Sequence, residues 1–341
     1  ITGLTKGSGM IIDCHAHVSA PAKLWAYKAT LLAHRGAHGR GKVVISDDEM
    51  VDALNTPQMG KYGHLPYLKH NGIDMQCISP RPFQMMHSES PAKIIDWLHE
   101  EVNNVIYRQT QMYPETFIGV AGLPQVAGRD IKDVIPELNR CVTELGFKGC
   151  LLNPDPYENG AEEAPGLGDK YWYPLYERLC ELDVPAHIHS SGSRSERTPY
   201  SLHFINEETI AVSSILKSKV YEDFPDLKII CSHGGGAIPY QMGRFDSGSM
   251  RGKGMRFREK VKKLYFDTVL YSEAALELLI KEIGAGSLLF GEECPGVGSK
   301  ENPDTGRPFD DIKPIIDGFE WLSDADKKMI YTDNAVKVFN L

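Results

Sequence analysis

Eight short apolar runs, each followed by a turn and a stretch of helical periodicity, limit what this chain can fold into more than any other feature. The runs cover residues 11–14, 75–79, 118–123, 149–153, 186–190, 228–232, 264–268 and 288–291. They are rich in Ile, Val, Leu and Cys and nearly continuous in apolar character, the pattern of strands covered on both faces of a parallel sheet. Helical stretches separate them. Ser46-Asp47-Asp48-Glu49 is a capping box that opens one. Ser90-Pro91 starts another, with proline at its first position and Ile94, Ile95, Leu98, Val102 and Val105 as its apolar stripe. Residues 131–145, 172–182, 207–221, 273–283 and 310–322 continue the alternation. Eight strand–helix units within 341 residues predict an α/β chain closed into a (β/α)8 TIM barrel. A doubly wound open sheet is the competing arrangement, but it does not gather the ends of the first, fifth, sixth and eighth strands at one place. Long loops at 18–45 (with Gly36, Gly39 and Gly41), 154–169 and 295–308 are expected at the barrel mouth.

The chemistry sits at those strand ends. His15 and His17 close the first run two residues apart, so in an extended strand both rings reach one point. His187 and His189 repeat the spacing on the fifth. His233 follows the sixth run and precedes three glycines, and Glu292-Glu293 ends the eighth. Any one of these histidines alone reads as a satisfied core residue. Together, several imidazoles and a carboxylate at one rim form a shell for zinc, manganese or iron. The other histidines, His34, His38, His64, His70 and His99, read as loop or helix-surface residues; His87 and His203 follow strands and are also placed on the surface.

Composition narrows the partners. A hydrophobic content of 42% supports a core, and a net charge of −9 with no basic cluster gives no nucleic-acid footprint. There is no apolar span of 18 residues, so no membrane segment is expected. Seven cysteines without a CxxC pair, Cys14, Cys77, Cys150, Cys231 and Cys294 among them on or just after apolar runs, fit reduced core thiols of a cytoplasmic protein. Residues 1–9 have the look of an expression leader before Met10, a short native extension being the alternative, and residues 10–341 read as one barrel domain.

The chain resembles the amidohydrolase superfamily, in the branch of the aminocarboxymuconate-semialdehyde decarboxylase-like enzymes, and within it the 4-oxalomesaconate hydratases. The stretches that carry this are Ile11-Ile12-Asp13-Cys14-His15-Ala16-His17, Ser79-Pro80-Arg81, Leu152-Asn153-Pro154-Asp155-Pro156, His233-Gly234-Gly235-Gly236-Ala237-Ile238-Pro239-Tyr240, Gly243-Arg244-Phe245 and Asp304-Thr305-Gly306. The resemblance implies that His15, His17 and His189 bind one divalent metal, most simply zinc, otherwise manganese or iron. Glu293 would be the carboxylate ligand or the acid–base group, and His233 a ligand or general base. Asn153 stands where dinuclear hydrolases place a bridging lysine, so a carbamylated bridge is not available. Decarboxylases of the branch carry Asp where Glu293 stands, which favours the hydratase side. His187, Glu292 and His233 could hold a second metal, as in dinuclear iron or manganese oxygenases of the aminoisobutyrate-hydroxylating type.

The implied reaction is water addition to, or removal from, a small unsaturated polycarboxylic acid; decarboxylation or hydrolysis is the alternative. Arg81, Arg244, Arg194 and Asn153 are the candidates for holding the anionic substrate. Relatives of this kind form homodimers or larger assemblies, and pairing with a related subunit is left open.

Overall fold

The computed structural model describes residues 9–251 and 254–341; the suggested leader lies, apart from Gly9, outside them. Eight parallel strands follow one another in chain order: β1 Ile12–His17, β2 Met75–Ser79, β3 Phe117–Gly119, β4 Cys150–Leu152, β5 Ala186–Ile188, β6 Ile229–Cys231, β7 Tyr265–Asp267 and β8 Leu288–Leu289. The ladders run β1-β2-β3 and β4-β5-β6-β7-β8. Backbone bonds join the two sets. Ala121 bridges to Cys150, with Leu151 N–H donating to the Ala121 carbonyl at 2.8 Å. On the other side Cys14 N–H donates to the Phe290 carbonyl and Glu293 N–H to the His15 carbonyl, both at 2.8 Å. These bonds close the cylinder that the strand–helix rhythm predicts.

Strand alternation decides what faces inward. Leu151, His187 and Ile230 are register partners, as are Asp267 and Leu289, and these rows point into the barrel. Ile12, Cys14, Met75, Cys77, Leu151, Ile230 and Leu289 pack the lower interior, and Val338 and Phe339 of the C-terminal helix Asn334–Phe339 plug the bottom. β1 carries an irregularity between Asp13 and Ala16. Such a bulge resets the phase of a strand. Ile12 and Cys14 therefore face the interior while Asp13, paired with Gln76, faces out, and above the bulge His15 and His17 face in.

The helices differ from expectation in five places. The capping box holds: Ser46 Oγ accepts Glu49 N–H at 3.2 Å and Glu49 accepts Ser46 N–H at 2.8 Å, opening helix Asp47–Asn55. The helix after Ser90 runs Ala92–Met112, with Pro91 as its cap rather than its first residue. Residues 131–145 are not one helix; a 3-10 turn Ile131–Val134 and a π turn Arg140–Glu144 flank a single α turn whose second residue is Pro136, which lacks the N–H a continuous helix needs. Only Lys313–Asp317 of residues 310–322 is α-helical, and the loop 18–45 contains helix Ala22–His34. The helix expected at 207–221 starts earlier, at Tyr200, and runs to Lys217; this brings Tyr200, Phe204 and Glu208 to the mouth.

Candidate metal centre

The rings of His15, His17 and His189 pack within 5.0–5.2 Å of one another, centroid to centroid, and His233 lies 5.4 Å from His15 and 5.0 Å from His189. Each ring is tethered through Nδ1 to an acceptor. His15 donates to Asp267 Oδ2 at 2.6 Å, His17 to Ser79 Oγ at 3.1 Å, His189 to the Ser190 carbonyl at 2.7 Å, and His233 to the Glu208 carboxylate at 2.8 Å. In the neutral rings of His15, His17 and His189 a proton fixed on Nδ1 leaves a lone pair on Nε2, the arrangement found around metal-bound imidazoles. Nε2 of His17, His189 and His233 stand 3.7, 4.0 and 3.5 Å from Glu293 Oε1. Nε2 of His15 and of His189 are buried without a hydrogen-bond partner. Ligand atoms of His15, His189, His233 and Glu293 all lie within 4.8 Å of one another. Two orphaned imidazole nitrogens facing a carboxylate fit a divalent cation.

Electrostatics agree with that donor set. Burial lowers His15 and His189, and lowers His17 to about 4, so these rings are neutral at pH 7. Burial alone would raise Glu293, but His233 and His17 hold it well below the usual carboxylate range. Burial would likewise lower His233; Glu208 and Glu293 outweigh it and hold that ring well above its ordinary value. Glu208 itself is pushed up to about 7 by burial. Glu293 sits at φ +64, a strained conformation for a residue with a side chain, and Gly296 leaves it room: a Cβ there would come within 2.3 Å of the Glu293 carbonyl. Tyr271 donates to Glu293 Oε2 at 2.5 Å, leaving Oε1 to face the rings. Above the cluster opens a cavity of about 580 Å³, with His233, Glu293 and Tyr271 at its floor and Tyr200, Phe204 and Leu270 among its walls.

Three of these residues were not singled out in the sequence. Asp267 ends β7 and accepts from His15, His187, Gly234 N–H and Val269 N–H, and burial notwithstanding, His15 and His187 pull its carboxyl far down. A carboxylate at a barrel strand's C-terminal end was a readable signal. Glu208, within helix Tyr200–Lys217, and Tyr271, in the loop after β7, carried none.

The remaining sites distribute unevenly. His187 Nε2 donates to Asp267 at 3.2 Å and Glu292 turns to Tyr67 and Asn71, so the trio His187, Glu292 and His233 is not drawn together. Arg81 is buried; Nη1 donates to the Pro295 carbonyl at 3.2 Å and Nη2 has no partner. Asn153 is buried and spends its amide on Ser191 Oγ and Asp155 N–H. Arg194 lies half-exposed against Glu89 at 2.9 Å. Arg244 is exposed on helix Met242–Ser249, away from the cavity lining. His64, His87, His99 and His203, read as surface residues, are buried: His64 bridges Ser19 and Gln76, His87 donates to the Gln125 carbonyl at 2.8 Å, and His99 donates to the Ile95 carbonyl at 2.9 Å with its ring 5.1 Å from that of His87.

The Amidohydrolase family model matches residues 12–341. The chain belongs to the amidohydrolase family. A 2-keto-4-carboxy-3-hexenedioate hydratase of Sphingobium sp. (strain NBRC 103272 / SYK-6) is 37% identical, covering 97% of this chain and 96% of that protein. The crystal structure of 4-oxalomesaconate hydratase from Rhodopseudomonas palustris superposes with a TM-score of 0.86 at 33% identity, over 97% of this chain and 96% of that one. A dihydroxybenzoic acid decarboxylase from Polaromonas sp. JS666, solved with bound manganese and 2-nitroresorcinol, shares the fold with a TM-score of 0.73 at 22% identity, over 98% and 97% of the two chains. This amidohydrolase is thus similar over its whole barrel to hydro-lyases. No helix among its described residues is long and apolar enough to cross a membrane.

Proposed function

We propose that this amidohydrolase is a metal-dependent hydro-lyase that adds water reversibly across the double bond of an unsaturated keto acid bearing several carboxylates. The observation that carries the reading is the Glu208–His233–Glu293 chain, which ends in the cavity beside the orphaned imidazoles. His15, His17, His189 and Glu293 would hold one divalent ion, zinc or manganese. Such an ion supplies a Lewis acid that polarises a substrate carbonyl and makes water more acidic.

The chain's own groups do the rest. Hydration places hydroxide on one alkene carbon and a proton on the other. Glu293 Oε1, pinned by Tyr271 at the opposite oxygen, faces the imidazoles and is the base nearest an incoming water. His233, locked through Nδ1 to Glu208, keeps Nε2 for delivering the proton at carbon and recovering it in the reverse direction. Arg81 Nη2, buried and unpartnered, pairs with a substrate carboxylate. The apolar walls exclude bulk water. His187 supports Asp267 and through it His15, which favours one ion over a dinuclear oxygenase site.

The test is direct. Protein loaded with zinc or manganese is given 4-oxalomesaconate or 2-keto-4-carboxy-3-hexenedioate, and loss of the conjugated ultraviolet band is followed with product mass. A gain of 18 mass units is expected. Release of carbon dioxide instead would assign the site to decarboxylation.

A further inference from the structure

The strap that follows β8 carries a cation the reaction chemistry above does not use. Residues 296–310 fold as a pinned hairpin. Gly296 N–H donates to Ser299 Oγ at 3.1 Å, and Ser299 Oγ donates to Asp310 Oδ2 at 2.6 Å. Asp310 N–H reaches the Gly298 carbonyl and Phe309 N–H the Lys300 carbonyl, both at 3.0 Å, and Glu301 pairs with Pro308 in a short antiparallel bridge. Gly298 lies so close to Tyr271 that a Cβ would come within 2.6 Å of that ring, which seats the strap directly on the residue that holds Glu293. Lys300 and Phe309, opposite each other in the hairpin, both line the cavity.

Apart from His233 on the floor, Lys300 is the cationic side chain in that lining, and among the described residues it makes no ion pair. The neighbouring Arg307 is committed to Asp311 at 3.7 Å. An exposed lysine, fixed at its backbone and lining the same cavity as Phe204, Val269, Leu270 and Phe309, matches an anion entering it. In the hydro-lyase reading an ion at the rings would take the substrate carbonyl, Arg81 one carboxylate and His233 the proton transfer, which leaves Lys300 as the cation for a carboxylate nearer the cavity entrance.

We propose that Lys300 binds the substrate carboxylate farthest from the reacting double bond and so selects tricarboxylates over dicarboxylates. This rests on the hydro-lyase reading for the identity of the substrate, but its test does not require turnover. Metal-loaded enzyme is titrated calorimetrically with tricarballylate and with glutarate. The wild type binds tricarballylate more tightly. Lys300→Met weakens tricarballylate about tenfold and glutarate less than twofold, and Lys300→Arg restores most of the difference. An unchanged affinity ratio in Lys300→Met, or no measurable tricarballylate binding to the wild type, overturns the proposal. Selective binding through Lys300 in an enzyme that hydrates neither keto acid would overturn the hydro-lyase reading and leave this one standing.

Discussion

Glu292 and Glu293 are neighbours in sequence and equally buried, yet they live in opposite electrostatic worlds. The chain leaving β8 sends Glu293 inward to the imidazoles and Glu292 outward, behind the barrel wall. There Glu292 Oε2 accepts from Tyr67 and Asn71 at 3.0 and 3.2 Å, and Oε1 has no partner. Its company is acidic. Its backbone N–H donates to Asp13, and Tyr67 bridges it to Asp310. Burial first, then Asp13 and Asp310, raise Glu292 well above the carboxylate range, and burial pushes Asp13 and Asp310 to about 7. The rings that the inner glutamate faces favour its charged form, and the burial and acidic neighbours of the outer one favour its protonated form. Chemical identity and depth are the same; the facing side chains decide the role.

The largest effect is expected where this contrast is broken at its inner end. Glu293→Gln removes the carboxylate that faces the Nε2 atoms of His17, His189 and His233, and activity falls on the order of 10³-fold with loss of the bound ion, as read by turnover and elemental analysis. Asp267→Asn comes next. Two histidine donors lose their shared anion, so His15 no longer keeps a fixed tautomer, and metal affinity measured by competition with a chelator drops roughly 10–100-fold. Tyr271→Phe frees Glu293 Oε2 without touching a ring; turnover falls several-fold while the ion is retained, checked by the same two assays.

The smallest effect sharpens the comparison at its outer end. In Glu292→Gln the amide nitrogen can take the place of the unpartnered oxygen while the carbonyl keeps both donors. Metal content and activity stay near wild type, but the pH dependence of stability changes. As pH rises above 4.5, the unfolded chain releases a proton that folded Glu292 keeps, so wild-type stability declines with pH. Glutamine removes that decline, so the stability of the variant relative to wild type rises between pH 5 and pH 8, measured by urea unfolding at both. The inner site has the opposite sign. His17 titrates at about 4 when folded against 6.5 as an ordinary imidazole, so its contribution is full above pH 6.5 and is lost as pH falls toward 4.

The same two faces explain what could be read from the sequence. All eight strands were legible because parallel barrel strands are apolar on both sides, and the ends of β1, β5 and β8 announce their histidines and glutamates by spacing alone. Glu292 and Glu293 could not be told apart, because a two-carboxylate ending does not reveal which residue turns inward. The β1 bulge is equally silent: strict alternation would place His15 opposite Cys14, and only the extra residue lets both face the interior. Glu208 reads as a helix-surface acid until the helix is seen to start at Tyr200 and cross the mouth. Arg244 shows the reverse error: a motif-borne arginine that lies in solvent in a single chain.

Elemental analysis of wild type, Glu293→Gln and Glu292→Gln, purified side by side and dialysed without chelator, tests the central claim most directly. One divalent ion per chain is predicted in the wild type and in Glu292→Gln, with none in Glu293→Gln. Two ions per wild-type chain, one of them lost with Glu292, would contradict it.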